Sequence, residues 1–217
     1  QTYTGAVTLS GGDRTLTATT VNTQSTLAGG SNALTITGAA DIDGAFTGLT
    51  SLSVSGTSNI GANVTTTGTQ TYAGAVTLSG GDRTLTGSTL TTQSTLDGGN
   101  HALTLTGNAD IGGAVTALTT LSVSGTSNIG ADITTSGAQT YAGAVTLSGG
   151  DRTLAASTLH TQSTVDGAGN GLTITGAADI DGVFSGISNL SISGATNLGA
   201  NITTTGMQTY AGAVTLS

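Results

Sequence analysis

The 217-residue chain is dominated by Thr, Ser and Gly, with 36 Gly, and contains no Pro, Cys, Trp, Lys or Glu. Its formal charge of -8 comes from eleven Asp set against Arg14, Arg83 and Arg152, a balance that argues against nucleic acid or an anionic membrane as partner. The absence of Cys excludes disulfide staples and leaves the redox compartment open, and with no signal peptide or long apolar run, neither export nor membrane insertion is read directly.

In chain order the first feature is a repeat. Gln-Thr-Tyr begins at Gln1, Gln70, Gln139 and Gln208, a constant spacing of 69 in the numbering. The chain therefore divides into repeats 1–69, 70–138 and 139–207 and a partial fourth at 208–217, read as a piece of a longer array. Within the first copy, Ala-Val-Thr-Leu-Ser (6–10), Ala-Leu-Thr-Ile-Thr (33–37) and Ser-Leu-Ser-Val-Ser (51–55) alternate aliphatic and hydroxyl residues, and each precedes Gly. That alternation is the signature of a half-buried strand. It places Val7, Leu9, Leu34, Ile36, Leu52 and Val54 inside. The strands start at Ala6, Ala33 and Ser51 and resume at Ala75, intervals of 27, 18 and 24, so a mean near 23 predicts three coils per repeat and nine along the chain.

A second strand is expected after each first one, around Leu16, Ile42 and Ile60. Val21, Leu27, Phe46, Leu49 and Val64 reappear as Leu90, Leu96, Val115, Leu118 and Ile133, so apolar character survives where identity does not. One such coil cannot bury its apolar side alone. Stacked coils can, and the expected fold is all-β: one continuous solenoid over 1–217, a right-handed parallel β-helix. The rival is a string of small β-sandwiches, one per copy. One Tyr and no Trp per copy is a thin aromatic supply for such cores, and the density of Thr, Ser and Gly disfavours helices.

The candidate binding face consists of the outward residues of the first-strand sheet: Thr8, Ser10, Thr35, Thr37, Ser53, Ser55, Thr77, Ser79, Thr104, Thr106 and their equivalents to Ser217, all Ser or Thr. Hydroxyls and β-branched Thr suit any solvent-facing strand. A regular ladder would also suit a glycan, a sister fibre or ordered water, although one coil in three carries Ser, which weakens an ice-like lattice. Asp13-Arg14, Asp82-Arg83 and Asp151-Arg152 follow Gly-Gly each time and read as turns in which Asp caps amides. Calcium is weighed at Asp41 and Asp43, Asp179 and Asp181, and Asp97 and Asp166. The middle copy has Asp110 and Gly112 at the first of these positions, and six to eight oxygens are not assembled. No cofactor is expected, and calcium at most weakly. His101 and His160 occupy different repeat positions, so neither a metal pair nor a catalytic base is expected. No nucleophile–base–acid set recurs and no Lys completes a phosphate loop, so an enzyme is not expected. The Tyr series Tyr3, Tyr72, Tyr141 and Tyr210 is assigned to the core, with a sugar-stacking ladder as the alternative.

Gln-Thr-Tyr-Ala-Gly-Ala-Val-Thr-Leu-Ser (70–79) and Ala-Leu-Thr-Leu-Thr-Gly (102–107) resemble the strand repeats of filamentous-haemagglutinin-like bacterial adhesins of the two-partner secretion type, with autotransporter passengers as cousins. The resemblance implies a right-handed β-helix, export across an outer membrane to the cell surface, and a role in adhesion or biofilm; no functional residue carries over. Expected partners are adjacent repeats of the same chain, a second copy stacked head to tail, and a glycan or host surface.

Overall fold

The computed structural model describes residues 1–217 and is all-β, a solenoid of about 11 turns held by parallel pairing throughout. Strands such as Leu27–Ile42 and Leu96–Ile111 run through two corners and make up most of a coil each.

Three ladders of parallel rungs run along the axis. The first face stacks Val7, Leu27, Phe46, Val64 and Leu85. The second stacks Arg14, Leu34, Leu52, Gln70 and Leu90. The third stacks Val21, Ala40, Ser58, Val76 and Leu96. The length of a turn varies along the rod: Leu34 meets Leu52, a step of 18 in the numbering, whereas Val64 meets Leu85, a step of 21.

This corrects the expectation of three coils per repeat. Of the three intervals read from the strands, only that from Leu34 to Leu52 is a single turn. Val7 lies under Leu27, one face before Leu34, and Leu52 lies under Gln70, one face before Val76. The intervals of 27 and 24 are therefore a turn and a third each, and one repeat takes three and two-thirds turns. Val7 and Val76 fall on different faces. Gln1 starts on the third face, Gln70 lies on the second, Gln139 on the first, and Gln208 on the third again. Each copy is rotated a third of a turn against its predecessor, and three copies close the cycle in eleven turns. At about 4.8 Å per turn the rod is roughly 53 Å long, not the roughly 45 Å that nine coils imply.

Three faces share one sequence because each asks the same of it: an aliphatic inside, a hydroxyl outside, a small residue at the corner. Leu34, Ile36, Leu52 and Val54 are fully buried and Leu9 nearly so; Val7, in the first coil, is half-buried. One cluster of 43 buried residues runs the length of the molecule. At the corner ending the Leu34–Ile36 rung, Gly38 has φ +122, and a Cβ there would lie 1.8 Å from the Ala18 carbonyl oxygen. Gly107 and Gly176 repeat this, so only glycine fits.

Candidate functional site

The outward residues alternate with the core as their spacing predicts, Thr35 and Ser79 being half-buried and the other eight candidates exposed. The phase shift, however, removes the single hydroxyl face. Thr8 and Thr104 lie on the first face, Thr35 and Ser53 on the second, and Thr77 on the third. Ser10, Thr37, Ser55, Ser79 and Thr106 stand beside corners, where the hydroxyl of Ser55 accepts a bond of 3.0 Å from the Gly38 amide. The carbonyls of Ser10 and Ser79 accept from Arg14 and Arg83.

Each face carries the same order of rungs, displaced along the axis. On the second face Thr15, Thr35, Ser53, Thr71 and Thr91 give way to Asp110 and Asn128. On the first face Thr84, Thr104, Ser122 and Thr140 give way to His160, Asp179 and Asn197. The third face opens with Asn22, Asp41 and Asn59 and closes with Thr153, Thr173, Ser191 and Thr209. Five hydroxyl rungs span roughly 20 Å.

The Asp-Arg turns are built to hold corners together. The Asp13 carboxylate accepts from the Ala33 amide at 2.8 Å, Asp82 from Ala102 at 2.9 Å and Asp151 from Gly171 at 2.6 Å, each partner lying one coil on. The following Arg folds back on carbonyls. Arg152 donates through Nη1 to the Asp151 carbonyl at 3.0 Å and through Nη2 to that of Ser148 at 2.6 Å. No carboxylate lies within ion-pair distance of any of the three Arg.

The tyrosines are interior. Tyr72 and Tyr141 are fully buried, and burial pushes both phenols well above their ordinary range. Their hydroxyls donate to Gln70 and Gln139 at 3.0 and 3.2 Å. A buried phenol cannot stack on a sugar, so the sugar ladder is excluded for these two.

One constellation escaped the sequence reading. His160 lies on the rung below Asp179, and Asp181 is two residues further along the same strand and corner. His160 Nε2 is 3.0 Å from Asp181 Oδ2 and 3.6 Å from Asp179 Oδ2. Asn197, one rung above, donates to Asp179 Oδ1 at 2.9 Å and fixes its carboxylate plane. The equivalent positions are Asn22, Asp41 and Asp43 in the first copy and Thr91, Asp110 and Gly112 in the second. The signal was a His standing one coil length ahead of an Asp. That separation means contact only once the length of the local turn is known, and here the ladder pairs His160 directly with Asp179. Compared with known proteins, the chain matched no family model, no curated protein and no solved structure.

Proposed function

We propose that this β-solenoid is a stalk or fibre segment of an exported bacterial surface protein, spacing a distal binding element from the cell rather than catalysing a reaction. The observation that supports the reading is the third-of-a-turn rotation between copies. Equivalent surfaces face three directions, so lengthening the array lengthens the rod without extending any one binding face. A single long core with coil-to-coil caps at Asp13, Asp82 and Asp151 suits an element that carries load along its axis. The resemblance of the strand repeats to filamentous-haemagglutinin-like adhesins supports an extracellular setting.

The alternative, a hydroxyl-rich face that binds glycan, sister fibres or ice, has less support. On the first and second faces the hydroxyl run gives way to His, Asp or Asn rungs, and the runs on the three faces point apart. The discriminating experiment compares chains of three, six and nine repeats. Electron microscopy or atomic-force imaging should show straight rods gaining roughly 53 Å per three repeats, with no saturable signal on glycan arrays and no inhibition of ice recrystallisation. Saturable binding that strengthens with repeat number overturns the stalk reading in favour of the face. Rods that bend once per sequence repeat overturn both.

A further inference from the structure

We propose that His160, Asp179 and Asp181 form a binding site for one divalent transition-metal ion of the zinc class. One ligand atom from each of the three residues lies within 4.8 Å of the other two, and His160 Nε2 faces the Oδ2 oxygens of both carboxylates. A tetrahedral zinc ion with bonds of about 2.0–2.2 Å holds its ligands roughly 3.3–3.6 Å apart. The separations of 3.0 and 3.6 Å from His160 Nε2 to the two carboxylates bracket that spacing. An ion placed between the groups needs only small side-chain rotations, and Asp181, the most exposed of the three, has room for them.

The chemistry of the donors selects the ion. One imidazole nitrogen and two carboxylate oxygens suit zinc, cobalt or nickel. Calcium asks for six to eight oxygens, which the strands do not supply here. A fourth position stays open to water or to a donor from another molecule. Two features preorganise the set. His160 and Asp179 are Cα partners in the parallel ladder, so backbone pairing fixes their separation. Asn197 holds Asp179 Oδ1, leaving Oδ2 for the ion, the kind of outer support that ligating carboxylates ordinarily have.

The other repeats supply the control. In the first copy Asn22 donates to Asp41 Oδ2, the oxygen that would bind the ion, and Asn59 donates to Asp41 Oδ1 at 2.7 Å. That copy has both carboxylates and the outer Asn, with an amide where the imidazole stands. The second copy has Thr91 and lacks the second Asp. One residue therefore separates a hydrogen-bonded rung from a ligand set.

The test is a calorimetric titration of zinc chloride into the 217-residue chain, with calcium and magnesium as controls and cobalt absorption bands as a coordination probe. The chain should take up one equivalent of zinc, with no comparable signal from calcium or magnesium. His160→Asn, which installs the first copy's residue, should weaken binding at least tenfold with an unchanged circular-dichroism spectrum. Asn22→His should add a second equivalent on another face. Failure to saturate at one equivalent, or unchanged affinity in His160→Asn, overturns the site. Loss in His160→Asn without gain in Asn22→His overturns the claim that these three ligands and their outer Asn suffice.

Discussion

Gln139-Thr140-Tyr141 and Gln208-Thr209-Tyr210 are the same three residues in two settings. In both, the phenol donates to its own glutamine, at 3.2 Å inside the rod and 2.9 Å in the last coil. Each glutamine amide also donates to an equivalent isoleucine carbonyl, and beyond that the two settings differ. Gln139 is fully buried and its amide donates to the carbonyls of Ile133 at 3.2 Å and Ala155 at 2.8 Å. Gln208 is exposed and keeps only the bond to Ile202, at 3.4 Å. Ala155 belongs to the next coil, which Gln208 lacks. The Gln–Tyr pair is a local structure, whereas its burial is a property of the neighbouring coil.

The largest expected effect breaks this comparison at the ring. Tyr141→Ala should cost about 3–5 kcal/mol, as for other buried aromatics, read from urea unfolding together with hydrogen exchange around Leu121 and Leu159. Tyr210→Ala should cost a small fraction of that. With a complete further repeat appended, Tyr210→Ala should become as costly as Tyr141→Ala. If the two remain unequal there, the coil above is not what buries the ring.

A smaller effect is expected at the amide. Gln139→Ala removes the amide donor to the Ile133 and Ala155 carbonyls and the acceptor of the Tyr141 hydroxyl, for about 1–3 kcal/mol, whereas Gln208→Ala should be nearly neutral. Because the Tyr141 hydroxyl has Gln139 as its partner, the double change Gln139→Ala with Tyr141→Phe should cost less than the sum of the single changes.

Alkali probes the same pair without mutation. The phenols of Tyr72 and Tyr141 are raised by burial. Below pH about 10, the ordinary phenol value, folded and unfolded chains are both protonated there, and the contribution to stability is complete. Above it the unfolded chain ionises first, so stability should fall as pH rises towards the folded values. Absorbance at the phenolate band should show two tyrosines that ionise only with loss of the β-sheet signal. Free titration of all four in folded protein would contradict their burial.

The smallest effect concerns the last coil itself. Leu216 is 79 % exposed and Val214 44 %, and Gln208 has returned to the face on which Gln1 begins. We propose that a second copy of the chain stacks on this coil, third face on third face. Sedimentation should show weight-average mass rising modestly with concentration, and Leu216→Asp should suppress the rise. A mass independent of concentration removes self-stacking from the expected partners.

Much of this was legible in the residues. The constant spacing of Gln1, Gln70, Gln139 and Gln208, the alternation in Val7-Thr8-Leu9 and Leu34-Thr35-Ile36, and the missing Pro and Trp led directly to stacked parallel coils with those aliphatics inside. Asp13 was readable as a cap because a carboxylate after Gly-Gly has few other uses in a turn. The length of the coil was not legible. The repeat divides evenly into three equal coils, and core positions that accept Val, Leu, Ile, Ala, Phe or Tyr alike do not mark which face they occupy. Only pairing across coils shows that the step from Leu34 to Leu52 is one whole turn and that the step from Val7 to Leu34 is a turn and a third.

The sequence by itself determined which residues turn inward, because side-chain direction in a strand alternates with chain position alone. Tertiary structure decided which residues stack, because stacking depends on how many residues each corner spends between rungs. That count separated Thr8, Thr35 and Thr77 onto three faces, and it brought His160 to Asp179 and Asp181.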